Sequence, residues 1–299
     1  LVAAVYYFWH AFVLKQDYPY NTYLTLPSAR FGDYFDMVLM CGNLNPYRDL
    51  ARSCYPPFAK LVFYLFHPFT PGFGLLLFLL PPFCFLFWAA RRLLARVAVG
   101  QQVLTILFIL FLGYPFLFAL DRGNLELQIL ISLGVFFLFY NSQEAWRRDL
   151  ASLGLAAGMA LKLYPGLLLL LLLKDRRFSD CLKVLLIFEL LTAASACAFV
   201  GGAPAALSDF REMLSVIDAL VKSDLQYGHG NAGIFYGVAI VLAKLGWETG
   251  LEWFSRYYWL IGLLLLAGYS ALIVRSRLSY WASTMCLVIL MCLIPALSN

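Results

Sequence analysis

The segment LASLGLAAGMALKLYPGLLLLLLL, residues Leu150–Leu173, is apolar except for one charge near its centre, Lys162. A straight apolar helix of about 20 residues is long enough to cross a membrane. Lys162 would then lie in mid-bilayer, where insertion scales assign a lysine a cost of about 2.5–3.5 kcal/mol. A hairpin with its apex near Lys162-Leu163-Tyr164-Pro165 brings this cation out to the end of the helices, and the segment predicts that arrangement. A lysine that snorkels from a straight span is the alternative.

The composition of the whole chain supports a membrane setting for such a hairpin. Of the 299 residues, 63% are hydrophobic and 13% are charged. Soluble domains average about 45–50% apolar and about 25% charged residues. Because a globule of this size cannot hide so much apolar surface from water, the sequence predicts an all-α integral membrane protein.

Ten hydrophobic segments divide the chain, and several are shorter than the roughly 20 residues that a straight span needs. Backbone that stops inside a membrane is tolerated only where protein or a water-filled cavity covers it. We therefore expect one transmembrane domain over residues 1–299, a bundle of about 9–11 transmembrane or re-entrant helices. Because both ends of the sequence fall in or just after hydrophobic runs, both termini are expected to be truncated. The segments are Leu1–Leu14, Pro56–Phe69, Phe73–Ala90, Val103–Leu120, Leu125–Tyr140, Leu150–Leu173, Leu182–Val200, Ala232–Leu245, Tyr257–Val274 and Trp281–Leu297.

Basic residues indicate the orientation of the bundle. Short loops that are rich in Lys and Arg favour the cytoplasmic side of a membrane. The turn Asp121–Asn124, the first loop and the loop Gly201–Gly230 are then extracytoplasmic. The formal charge of +5 is modest and gives no sign of a nucleic-acid surface. The basic loops contain Arg91, Arg92, Arg96, Arg147, Arg148, Lys174, Arg176, Arg177, Arg275 and Arg277.

The seven cysteines form no CxxC pair and have no histidine close by, so the sequence predicts no metal site. Cys41 and Cys54 share the first loop. If that loop faces an oxidising compartment, they can form a disulfide, and the sequence leaves this open.

Unusual polar residues gather at the predicted extracytoplasmic ends of the helices. Each has a plain explanation, because carboxylates favour helix N-termini, Arg122 can pair with Asp121 and His229 can be a loop residue. Taken together, the cations suit a phosphate and the carboxylates suit a base that deprotonates a hydroxyl. These residues are Arg30, Asp33, Asp36, Tyr55, Arg122, Asn124, Lys162, Tyr164, His229 and Asn231.

An ordered set of motifs covers nearly the whole chain: Asp33-Tyr34 followed by GNLNPY at Gly42–Tyr47, YPPFAKLVFYLFHPF at Tyr55–Phe69, Arg122-Gly123-Asn124, GLAAGMALKLYPGLLLLLLLKDRR at Gly154–Arg177, GHGN at Gly228–Asn231 and the closing LIPALSN. This order resembles the polyprenyl-phosphate-sugar-dependent glycosyltransferases of the GT-C architecture. The resemblance is closest to family 87, which includes membrane mannosyltransferases of glycolipid assembly.

The resemblance implies roles for the polar residues. Asp33, or Asp36 because the spacing to Pro46-Tyr47 is short, is the catalytic base. The donor phosphate binds near Lys162, Arg122 and His229. Substrate contacts come from Arg30, Tyr55, Asn124, Tyr164 and Asn231. The implied reaction moves a hexose such as mannose, with inversion and without a metal or cofactor, from a polyprenyl-phosphate sugar to a lipid or glycan acceptor. It takes place on the extracytoplasmic side of the plasma (inner) membrane.

Two other classes of membrane protein fit part of the pattern. An O-antigen polymerase or ligase also handles lipid-linked sugars, but we expect such an enzyme to carry several arginines in a large late loop. Here the loop Gly201–Gly230 holds only Arg211 and Lys222. A secondary transporter often contains internal repeats and mid-span charges. The sequence shows no repeat, and mid-span charges are scarce apart from Lys162 and Glu189.

Overall fold

The computed structural model describes residues 5, 9–15, 31–42, 55–227 and 234–293. Within these ranges the chain forms helices and no strand, which confirms the predicted all-α class. A short π-helical turn spans Trp9–Val13. The α-helices are α1 Gly32–Met40, α2 Pro57–Tyr64, α3 Pro71–Leu93, α4 Val99–Leu112, α5 Tyr114–Arg122, α6 Glu126–Phe139, α7 Ala145–Leu161, α8 Leu169–Lys174, α9 Phe178–Cys197, α10 Gly202–Tyr227, α11 Ile234–Lys244, α12 Glu248–Arg275 and α13 Tyr280–Leu293.

Two of these helices, α3 and α12, are long and apolar enough to cross a membrane alone. Helix α9 and the Gly202–Val216 part of α10 meet the same criterion together, although they are bent by 102°. Other apolar helices, such as α6, are shorter than a span. The structure therefore agrees with an all-α membrane protein, and the predicted number of about 9–11 spanning or re-entrant helices stays a prediction.

The predicted hairpin is present. Helix α7 ends at Leu161, and Lys162 has extended backbone angles (φ −149°, ψ 145°) that stop the helix. A 3₁₀ turn at Tyr164–Leu168 leads into α8. Lys162 contacts Glu126 at the first residue of α6, whereas Asp175 accepts a 2.8 Å hydrogen bond from Tyr140 just after α6 ends. Because the chain reaches both ends of α6 in turn, it reverses direction at Lys162.

Helices α6 and α7 cross closely within the core. Gly154 lies so close to α6 that an added Cβ atom would be 2.6 Å from the carbonyl oxygen of Ser132 and 3.2 Å from the Phe136 amide nitrogen. Around this crossing, Phe136, Leu155 and Leu168 are buried in one cluster. The close backbone approach fixes α7, and with it the hairpin apex, against α6.

We expect Gly154→Ala to lower the thermal stability of the purified protein in detergent. The added methyl group meets backbone atoms that cannot move aside alone, and overpacking of this kind costs about 1–3 kcal/mol. Gly268→Ala is the control, because a Cβ atom at Gly268 meets nothing within 4 Å. The control should keep or slightly raise the melting temperature, as alanine favours helices. Equal melting temperatures for the two variants would contradict the tight crossing.

The basic loops gather at the end of the bundle opposite Lys162. The guanidinium of Arg92 lies 5.2 Å from the centre of the Phe139 ring, and Arg177 donates a 2.6 Å hydrogen bond to the Tyr140 carbonyl. Arg148 donates to the Gln143 carbonyl at 2.9 Å, and Lys174 donates to the carbonyl of Leu278 at 2.6 Å. All of these contacts surround the end of α6, so charge is divided between the two ends of the bundle.

The hydrophobic segment Val103–Leu120 lies on two helices. Helix α4 ends at Leu112, and Gly113 has φ −78° and ψ 87°, outside the helical region. Pro115 has no backbone N–H to donate to a helix that continued through it. Helix α5 therefore starts anew at Tyr114, and it ends at Arg122 beside the first residues of α6.

Candidate active site at one end of the bundle

Asp33 lies in the first turn of α1 and is held by two residues from the turn between α5 and α6. Arg122 donates to it twice, from Nη2 to Oδ1 at 2.6 Å and from Nε to Oδ2 at 3.0 Å. Asn124 donates from Nδ2 to Oδ2 at 2.6 Å. A two-point guanidinium–carboxylate contact fixes both position and orientation. The carboxylate of Asp33 is therefore held in a fixed position at one end of the bundle.

The turn that supplies these partners depends on Gly123. Its φ of 62° is in the left-handed region, and it closes the C-terminus of α5, as glycine commonly does. A Cβ atom at this position would lie 2.8 Å from the Cβ atom of Tyr34. Only glycine meets both conditions, so Gly123 allows both Arg122 and Asn124 to reach Asp33 on α1.

Lys162 and Tyr164 meet Glu126 at the hairpin apex. The ammonium of Lys162 is 2.7 Å from Oε1 of Glu126, and the hydroxyl of Tyr164 donates a short hydrogen bond to Oε2. The ammonium also lies 5.7 Å from the centre of the buried Tyr55 ring, within the range of a cation–π contact. The apex cation thus lies beside a carboxylate and the Tyr55 ring, and Tyr164 binds the same carboxylate.

Asn124 joins the Asp33 and Lys162 groups into one polar cluster, which we define as Asp33, Arg122, Asn124, Glu126, Lys162, Tyr164 and Tyr55. While its amide nitrogen donates to Asp33, its carbonyl Oδ1 accepts a 3.0 Å hydrogen bond from the Glu126 backbone N–H. The two carboxylates and the two cations of the cluster balance to a formal charge of zero. The hydrogen bond to Asp33, together with the negative charge there, raises the pKa of the Arg122 guanidinium, so Arg122 stays cationic.

The structure therefore brings together Asp33, Arg122, Asn124, Lys162, Tyr164 and Tyr55, which the sequence had singled out. Asp36 is exposed, and no partner for its carboxylate is seen in the described part of the chain. Arg30, His229 and Asn231 lie outside the described residues. Cys41 is buried and its thiol donates to the Met37 carbonyl at 3.2 Å, while Cys54, its suggested disulfide partner, also lies outside the described residues.

Glu126 is the member of the polar cluster that the sequence analysis missed. It stands at the first residue of α6, where a carboxylate is usually explained by the helix dipole. Its partner Lys162 is 36 residues away along the chain. The available signal was its place two residues after Arg122-Gly123-Asn124, a motif already suspected of binding substrate.

A separate cavity of about 380 Å³ lies between the end of α11 and the start of α12. It is lined by Leu242, Trp247, Thr249, Gly250, Trp253 and Phe254. These side chains carry no charge, so this cavity lacks the cations and carboxylates that the polar cluster offers to a charged substrate.

Comparison with protein families shows to which class of enzyme the chain belongs. The model of glycosyltransferase family 87 matches residues 54–295. The chain belongs to this family. No curated protein and no solved structure matches it significantly. The family 87 match includes every member of the polar cluster except Asp33, which lies on α1 ahead of the matched region.

Membership in family 87 makes the chain a membrane glycosyltransferase, in agreement with the resemblance found in the sequence. Such an enzyme needs a sugar donor and an acceptor and is surrounded by membrane lipids. Its chemistry requires a group that takes a proton from the acceptor hydroxyl and groups that stabilise the departing part of the donor. In this glycosyltransferase the polar cluster offers a fixed carboxylate and two cations at one end of the bundle.

Proposed function

We propose that this glycosyltransferase moves a hexose such as mannose from a polyprenyl-phosphate donor to a lipid-linked or glycan acceptor. Transfer inverts the anomeric centre and occurs on the extracytoplasmic side of the plasma membrane. The observation that carries this proposal is the shared polar cluster of Asp33 and Lys162, which joins a carboxylate and a cation from distant parts of the chain. These are the two kinds of group that transfer from a phosphate-linked sugar needs.

The donor is proposed from the cations and from the membrane setting. A phosphate pairs well with a guanidinium and an ammonium, and Arg122 and Lys162 supply one of each. A polyprenyl chain keeps the donor in the bilayer while its phosphate reaches the end of the helices. Cations placed beforehand stabilise the charge that develops on the phosphate as the sugar leaves.

The base is proposed to be Oδ1 of Asp33. A carboxylate has about four lone-pair positions, and the bonds from Arg122 and Asn124 occupy one on Oδ1 and two on Oδ2. The remaining position on Oδ1 can accept the proton of an acceptor hydroxyl. As the acceptor oxygen bonds to the anomeric carbon, the bond between that carbon and the phosphate oxygen breaks. Polyprenyl phosphate then leaves with the electron pair of the broken bond. A single displacement of this kind inverts the configuration.

The extracytoplasmic location is proposed from the division of charge. The contacts of Arg92, Arg148, Arg177 and Lys174 lie at the end of the bundle opposite the polar cluster. Basic loops favour the cytoplasmic side, and this supports an extracytoplasmic position for the polar cluster. A cysteine that replaces the exposed Asp36 should react with a membrane-impermeant thiol reagent added outside intact cells. Reaction only after the cells are permeabilised would reverse the proposed orientation.

The proposal is tested by incubating the purified enzyme in lipid vesicles with donors labelled in the sugar. Polyprenyl-phosphate mannose, other polyprenyl-phosphate hexoses and the corresponding nucleotide sugars are compared, with a glycolipid extract as acceptor. We expect label to leave a polyprenyl-phosphate hexose, polyprenyl phosphate to be released, and the product to have the opposite anomeric configuration. Transfer from a nucleotide sugar alone would overturn the donor class. Retention of configuration would overturn the single displacement.

A further inference from the structure

Glu126 has no role in the proposed transfer, although its carboxylate is the direct partner of the apex cation. Both of its oxygens are engaged, Oε1 by Lys162 at 2.7 Å and Oε2 by the Tyr164 hydroxyl. Its backbone N–H is held by Asn124 at 3.0 Å. The residue therefore ties the hairpin apex to the turn that carries Arg122.

Exposure differs within this ion pair. The Lys162 side chain is 11% exposed, whereas that of Glu126 is 34% exposed. The carboxylate is therefore the more accessible partner, and an anion that binds the ammonium comes close to it. The phosphate of a donor and the carboxylate of Glu126 then need the same cation.

We propose that Glu126 is a positioning residue that competes with the donor phosphate for Lys162 and Tyr164. It holds both groups in place when no phosphate is near, and it weakens phosphate binding because the two anions repel each other. After transfer, return of the carboxylate to Lys162 favours release of polyprenyl phosphate. This inference rests on the proposed function, since it assumes a phosphate-linked donor.

If Glu126 competes with the phosphate, substitutions that remove the negative charge of Glu126 should strengthen the binding of polyprenyl phosphate. Glu126→Gln keeps the size of the side chain and can still accept the Tyr164 hydrogen bond. Glu126→Ala removes the side chain beyond Cβ. Both should bind polyprenyl phosphate about tenfold more tightly than wild type, in line with the loss of one like charge at contact distance in a partly exposed site. Glu126→Asp keeps the charge and should stay within about twofold of wild type.

The experiment measures the affinity of each variant in lipid nanodiscs for polyprenyl phosphate, with uncharged polyprenol as the control ligand, and the KM and kcat for the donor. For Glu126→Gln we expect tighter polyprenyl phosphate binding, a lower KM and a lower kcat from slower product release, with polyprenol binding unchanged. If Glu126→Gln does not fold, Glu126→Ala decides the same point.

Each outcome separates this inference from the proposed function. If wild type binds polyprenyl phosphate but the charge-removing variants bind it equally or more weakly, Glu126 is only structural and the competition is wrong, while the donor class stands. If the charge-removing variants bind uncharged polyprenol more tightly to the same degree, the competition is also wrong. The gain in affinity would then not depend on the charge of the phosphate. If wild type binds no polyprenyl phosphate and uses no polyprenyl-phosphate sugar, the donor class is wrong and the inference falls with it.

Discussion

Asp33→Asn should reduce the rate of sugar transfer by about 10²- to 10⁴-fold while the protein stays folded. This is the range that a well-placed general base contributes. Asparagine has nearly the same shape, and its carbonyl oxygen can still accept a hydrogen bond from Arg122 or Asn124, so α1 should keep its position. The amide cannot take the acceptor's proton. The effect should therefore appear in kcat, with little change in the KM for the donor.

Asp36→Asn is the matched control, because Asp36 lies on the same helix but is exposed. Both variants are assayed with the same labelled donor, and their melting temperatures are compared with wild type. We expect Asp36→Asn to retain activity. Activity lost in Asp36→Asn and kept in Asp33→Asn would move the base to Asp36, the alternative that the sequence left open. Full activity in both variants would exclude a base on α1.

The hairpin was predictable because its signals are local. A charge in the middle of an apolar run, with basic residues at both ends of the same run, disfavours a straight crossing whatever the rest of the protein does. The structure breaks α7 at Lys162, where the cost of a straight helix would have been greatest. The separation of basic loops from the polar cluster followed from the same charges.

Helix continuity was not predictable from residue types alone. Pro81 and Pro82 lie inside α3, which nevertheless runs unbroken from Pro71 to Leu93. The run through Pro115 is broken at Gly113 instead. Proline removes one hydrogen-bond donor in each case, and whether the helix bends or ends depends on what packs against it. That packing involves residues far away in the chain.

The members of the polar cluster were predictable to different degrees. Arg122 and Lys162 stood out because charge is rare in a chain that is 13% charged. Their actual partners did not stand out: Arg122 binds Asp33, which lies 89 residues away along the chain. Glu126 escaped notice because the start of a helix is an ordinary place for a carboxylate. Sequence thus indicates which groups need a partner, whereas the fold decides which partner each receives.

Lys162→Met should lower kcat/KM for the polyprenyl-phosphate donor by about 10²- to 10³-fold. Loss of one donor group that stabilises a developing anion typically has this effect. Methionine fills a similar volume without a charge, so the ammonium is lost from the phosphate site and Glu126 is left without its cation. The unpaired carboxylate then adds repulsion to the lost attraction. Initial rates over a range of donor concentrations measure the effect.

Two further variants show whether that loss comes from the phosphate site. Lys183→Gln removes an exposed lysine that pairs with Asp149 at 2.7 Å, and it should keep wild-type kinetics. Lys162→Met combined with Glu126→Gln restores a neutral apex and should recover part of the lost donor affinity, because the repulsive charge is gone. If Lys162→Met is folded and its kcat/KM equals that of Lys183→Gln, Lys162 does not contact the donor phosphate. The hairpin apex would then serve the fold alone, with the cation of Lys162 needed only to balance Glu126.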